Sequence, residues 1–214
     1  MIYFQTVPPV ANSSWAHGGH MKIREQLSDV MTSAFESLPR RIFLDSCTAQ
    51  TLRSYGGYVY EAEPIDAGDR IHAIPNGIAN LEALRAIFLV SERALFEWIV
   101  SRGSMEEARA KRDEGHMQWL WDIADHSEAC LESDGPTAES EALGERLNEP
   151  KFGYLSVADR RLIREAVVLR CDAFLTVERR LPRNAAHLER ELGIRVLTPV
   201  QHWKALRPWA ALWL

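Results

Sequence analysis

The sequence predicts a three-layer α/β/α protein, with helices on both faces of a central, mainly parallel sheet. Two observations predict it. Short apolar runs recur at residues 41–44, 87–90, 173–176 and 194–197, each stopped by a polar or turn-forming residue. Between them, apolar side chains return every three or four positions, the spacing of a helix with one buried face. Strands this short and this uniformly apolar are buried on both sides. A crossover helix between consecutive strands brings the chain back to the same end of the sheet, so the strands pair in parallel.

Each element follows in order. Residues 1–20, with Pro8-Pro9 and Ser-Ser-Trp-Ala-His-Gly-Gly-His20, lack periodicity and read as a flexible arm. Residues 21–200 read as one domain. It opens with a helix over 21–38 carrying Ile23, Leu27, Val30, Met31 and Phe35, which Pro39 ends. The first strand is 41–44. Turn formers dominate 55–77, within an expected insertion at about residues 50–80. A second strand is expected at 87–90 with a helix over 91–101, then a second insertion at about residues 102–150. In that insertion 105–131 has helical spacing, and 133–150 is an acidic surface connection. The remaining elements are a helix at 156–170, a strand at 173–176, a helix at 184–192 and a strand at 194–197 closed by Thr198-Pro199. Residues 201–214 form an apolar tail with Trp203, Trp209 and Trp213, which would dock on the body or on a partner.

Composition narrows the function. The 214 residues are 46% hydrophobic with 12 Gly and 10 Pro, which excludes a disordered or collagen-like chain. Apolar runs stop at five or six residues, so no membrane span is expected, and the N-terminal sequence does not read as a secretory signal. Cysteines 47, 130 and 171 form no paired framework, which favours a reducing, cytoplasmic setting. The net charge of −5 conceals an asymmetry: residues 151–214 carry 12 Lys/Arg and 6 Asp/Glu. Arginine forks suit phosphate, so a nucleic-acid partner is compatible with the acidic total; a solvated helix face explains the same charges.

Four acids fall near predicted strand ends: Asp45, Glu97, Asp159 and Glu178. In parallel sheets ligands bind beyond the carboxyl ends of the strands. Carboxylates gathered there repel one another, and a hard divalent cation relieves the repulsion. Mg²⁺ or Mn²⁺ so held can orient a phosphodiester and generate hydroxide. Each acid also has a structural reading. Asp45 can cap the next helix, Glu97 can lie on a polar helix face, Ser156-Val-Ala-Asp159 has capping-box spacing, and Glu178 can be surface charge beside Arg179-Arg180. His126 and Cys130 stand one helical turn apart without a second ligand pair, and Cys47 reads as a small buried thiol. Nucleotide-binding glycine loops and the serine-hydrolase elbow are missing from the sequence.

These segments together resemble the PIN-domain nucleases, a family that includes the toxin ribonucleases of VapC-type toxin–antitoxin pairs. Ile42-Phe-Leu-Asp-Ser46 resembles the first motif, a strand ending in an acid. Val90-Ser91 with Glu97 resembles the second, and Leu155-Ser-Val-Ala-Asp159 the third. Ala173-Phe-Leu-Thr-Val-Glu178 resembles the fourth, with Glu in place of the family's Asp, and Leu192-Gly-Ile-Arg-Val-Leu-Thr-Pro199 is similar to the last strand. The resemblance covers residues 155–199 well and 41–47 and 87–99 in part.

It implies a PIN-like fold in which Asp45, Glu97, Asp159 and Glu178 bind Mg²⁺ or Mn²⁺ and carry catalysis. Ser46 and Thr176 would steady the acids, while Arg160, Arg161, Arg179 and Arg180 would meet the nucleic-acid backbone. The expected activity is endoribonuclease cleavage of RNA, with DNA not separated from RNA by the sequence. An antitoxin partner and a homodimer belong to the same expectation. The alternative is a catalytically degenerate PIN-like module that binds RNA or a protein.

Overall fold

Four strands form one sheet in the order β2-β1-β3-β4, every neighbouring pair parallel. They are β1 (Arg41–Leu44), β2 (Glu97–Ile99), β3 (Ala173–Leu175) and β4 (Arg195–Leu197). The computed structural model describes residues 32–100, 102–110, 114–124 and 138–213. The chain divides after Leu38 into two units. In the first, residues 32–36 are helical, the described part of the helix expected over 21–38. The arm expected at 1–20 lies outside the described residues.

In the second unit, helices fill the connections. From β1 the chain runs through α1 (Ser46–Ser54), α2 (Gly56–Glu61), a 3₁₀ turn (Arg70–Ala73) and α3 (Gly77–Ala94) to β2. It continues through α4 (Arg102–Ala110), α5 (Glu114–Ala124), α6 (Ala138–Leu147) and α7 (Val157–Val168) to β3. Then α8 (Ala185–Leu192) leads to β4, followed by α9 (Pro199–Leu206) and a 3₁₀ segment (Arg207–Leu212).

Strand alternation sends successive side chains to opposite faces, and each face has its own core. Phe43, Ile99, Phe174 and Val196 pack with Leu147 of α6, Leu162, Ile163 and Ala166 of α7, and Leu188 of α8. The Phe43 and Phe174 rings stack at 5.2 Å across the β1–β3 pair. Ile42, Leu44 and Leu175 face the other way, against Leu52 of α1, Leu81 and Leu84 of α3, Met105 of α4 and Leu120 of α5. This is the three-layer arrangement the sequence predicts. The tail docks on the body: α9 packs on α3, with Leu206 and Ala210 buried.

Local expectations are corrected in three segments. Residues 87–90 are not a strand but the middle of α3, whose buried Leu81, Leu84, Ile87 and Ala94 mark one helix face. The strand begins ten residues later than expected, at Glu97–Ile99, so the helix expected over 91–101 is replaced by a helix end and a strand. Ser91, expected at a strand end, sits inside α3 and donates its hydroxyl to the Phe88 carbonyl at 2.9 Å. The turn-rich 55–77 segment carries α2 and the 3₁₀ turn, because Tyr58, Val59 and Ile71 supply enough apolar contact to order it. The acidic 138–147 stretch is helix α6, anchored by Leu147. Among the described residues no helix is long and apolar enough to cross a membrane.

Candidate metal centre at the strand ends

From β1 the chain moves outward to β2 on one side; from β3 it moves to β4 on the other. The carboxyl ends of β1 and β3 therefore flank the point where connections diverge, the usual ligand crevice of an open parallel sheet. Leu44 pairs with Leu175, so the next residues, Asp45 and Thr176, emerge side by side.

Asp45 occupies the N-cap position of α1, yet its side chain makes no cap hydrogen bond. Helix capping therefore does not account for it. Asp45 is 5% exposed, and Thr176 Oγ1 donates to its Oδ2 at 2.7 Å. Burial pushes the Asp45 carboxyl up to about 7. The Thr176 hydrogen bond opposes that rise, while the Glu178 and Asp159 charges add to it, and the Ser46 backbone N–H opposes it slightly. A buried acid crowded by two further acids is what a bound cation would relieve.

Thr176 works in both directions. Its Oγ1 also accepts the Glu178 backbone N–H at 3.0 Å, locking the turn that leads Glu178 back over the strand end. Thr48 supports the next peptide: its Oγ1 donates to the Leu175 carbonyl at 3.1 Å and accepts the Val177 N–H at 3.0 Å. Glu178 Oε1 then accepts from Cys47 Sγ at 3.0 Å. Ligand atoms of Asp45, Cys47 and Glu178 all lie within 4.8 Å of one another, a separation that one metal ion can span.

Asp159 is brought close enough to raise the Asp45 pKa, but it also completes the α7 capping box. Its Oδ2 accepts the Ser156 N–H at 2.9 Å, and its own N–H donates to Ser156 Oγ at 3.0 Å. Asp159 thus serves as a helix cap and acts on Asp45 by its charge, outside the group of Asp45, Cys47 and Glu178.

Glu97 is not brought to the site. It opens β2 at the amino end of the sheet, in register with Arg41, and forms an ion pair with that arginine. Its side chain is 57% exposed. Arg41 lies four residue steps before Asp45, roughly 13 Å of rise along the sheet. Asp172 lies at the same amino end, accepting the Arg40 and Arg41 N–H groups at 2.9 Å each.

The four arginines fare differently. Arg161 pairs with Glu106 at 2.7 Å and Glu165 at 3.2 Å. Arg160 donates to Asn148 Oδ1 at 3.1 Å, and Arg180 to the Tyr154 carbonyl. Arg179 is exposed and lines a 360 Å³ cavity with Glu178, Asn80, Arg183, Thr198 and Gln201.

Two members of this neighbourhood escaped the sequence reading. Cys47 is half-buried at the cluster rather than packed in the core; its place two residues after Asp45 in the first turn of α1 is the available signal. Asn80, 8% exposed, has an Oδ1 with no hydrogen-bond partner among the described residues. It comes from α3, where Gly77 lets the helix start against the 3₁₀ turn: a Cβ there would meet the Ile71 carbonyl oxygen at 2.4 Å. The Ser46 Oγ is likewise buried without a partner among the described residues. His126 and Cys130 lie outside them.

No family model, curated protein or solved structure matches this chain. The fold and the cluster define an open parallel α/β protein with a candidate metal centre at its topological switch point.

Proposed function

We propose that this protein is a divalent-metal-dependent nuclease of the PIN-domain kind, an endoribonuclease hydrolysing RNA phosphodiester bonds. One observation carries the reading. Asp45 and Glu178 converge at the ends of β1 and β3, and the buried Asp45 carboxylate is left unused by helix capping.

The donor set fits a divalent ion. Asp45 and Glu178 would hold it directly, with Asp159 contributing charge from the rim. A bound Mg²⁺ or Mn²⁺ supplies Lewis acidity and a water acidified toward hydroxide. The protein supplies orientation. Thr176 holds Asp45 Oδ2 and the Glu178 backbone in one frame, so neither acid must reorganise when substrate arrives. Arg179 and Arg183, on the cavity beside Glu178, would meet phosphates flanking the scissile bond. Arg160, Arg161 and Arg180 already have protein partners, so the phosphate role moves to Arg179 with Arg183.

A toxin role with a neutralising partner, and a homodimer, extend the same proposal. A specific observation favours a second reading, a binding module without catalysis: Glu97 is remote, and one Asp159 oxygen is engaged in its cap.

Cleavage of labelled RNA and single-stranded DNA with Mn²⁺, Mg²⁺ or EDTA, against Asp45→Asn, decides between them. Metal-dependent cutting of RNA that disappears in the variant is expected. RNA binding without cutting, and no Mn²⁺-induced rise in melting temperature, would establish the binding module instead.

A further inference from the structure

We propose that Cys47 is a ligand of this centre, which makes it a mixed thiolate–carboxylate site that prefers thiophilic divalent ions to Mg²⁺. The inference rests on the strand-end cluster being a metal centre, and not on which bond is cut there.

The geometry is specific to this chain. Cys47 stands in the first turn of α1, two residues after Asp45, and its Sγ is 3.0 Å from Glu178 Oε1. Sulfur and both carboxylates fall within one 4.8 Å cluster, so an ion reaching the two acids also reaches the sulfur. The surroundings of the cluster are also polar and buried: Asn80, more than nine-tenths buried, has no hydrogen-bond partner for its Oδ1 among the described residues and belongs to a cavity wall that includes Glu178. Three protein donors are the number found in sites that keep a fourth position for water.

The thiolate is the form that binds metal. Binding therefore replaces the S–H bond by an S–metal bond, and the proton leaves to solvent past Glu178, which already accepts it as a hydrogen bond. Mg²⁺ takes oxygen ligands and gains little from sulfur. Affinity for a site containing sulfur rises from Mn²⁺ through Co²⁺, and Zn²⁺ favours thiolate. Zn²⁺ would thus displace Mg²⁺ from this centre.

Co²⁺ titration of the full-length protein provides the test, followed by absorption spectroscopy and calorimetry. The expected result is one equivalent bound with a near-ultraviolet thiolate-to-Co²⁺ charge-transfer band. That band is retained in Cys171→Ser and Cys130→Ser and lost in Cys47→Ser, while circular dichroism shows Cys47→Ser folded. Should Cys47→Ser fail to fold, competition on the wild type decides: Zn²⁺ bleaches the band and excess Mg²⁺ does not. Co²⁺ binding that depends on Asp45 but carries no band overturns the sulfur ligand and leaves the metal centre standing. No Co²⁺ binding by calorimetry overturns both.

Discussion

Thr176 Oγ1 donates to Asp45 Oδ2 at 2.7 Å across two strand ends 131 residues apart in sequence. The same oxygen accepts the Glu178 N–H at 3.0 Å, so one hydroxyl fixes the Asp45 carboxylate and the Glu178 backbone in one frame. Thr176→Val keeps the shape and removes both hydrogen bonds. Leaving a buried carboxylate without its donor costs about 1–3 kcal/mol. A lower melting temperature and weaker Mn²⁺ binding are expected; an unchanged Mn²⁺ affinity would show that the hydroxyl does not organise the site.

Asp45 sets a pH dependence of stability. Its folded pKa is raised from 3.8 to about 7, so the folded state keeps a proton that the unfolded chain has already lost. Stability from this group is full below the unfolded value and is lost as pH rises through about 7, each unit of displacement being worth about 1.4 kcal/mol. In EDTA, Asp45→Asn should therefore melt above the wild type at pH 8 and close to it at pH 4. A variant that melts lower at pH 8 contradicts the strained carboxylate.

His202 acts in the opposite direction. Buried in α9 with neither ring nitrogen hydrogen-bonded among the described residues, it is held down to about 4, first by burial and then by the Arg195 charge. The unfolded chain takes up a proton below the ordinary 6.5, so stability is lost as pH falls from there toward about 4. His202→Leu should flatten that acid limb in urea titrations at pH 4.5 and 7. Equal slopes in variant and wild type would show that His202 does not drive it.

Glu97 tests the correction to the site. Its ion pair with Arg41 is on the surface at the far end of the sheet. Glu97→Gln should leave RNA cleavage and Mn²⁺ binding unchanged and cost about 0–1 kcal/mol of stability. A large loss of activity in a folded variant would place Glu97 in the chemistry after all.

Much of this protein is determined locally and is legible from residue order. The runs 41–44, 173–175 and 195–197 are strands because nothing else buries such short apolar segments between helices, and Ser156 with Asp159 starts α7 through a capping box that spacing alone announces. That Asp45, Thr176 and Glu178 stand at strand ends follows from the same pattern. The β2 strand was hidden because Glu97–Ile99 is three residues long, while the apolar run at 87–90 satisfies strand and helix alike until the buried face from Leu81 to Ala94 is traced. Only the tertiary structure decided which acids meet. The order β2-β1-β3-β4 places the divergence of connections between β1 and β3, which joins Asp45 to Glu178 and leaves Glu97 at the opposite end. It also brought Cys47 Sγ to Glu178 Oε1, 131 residues away in sequence, and put Asn80 on a cavity wall with Glu178.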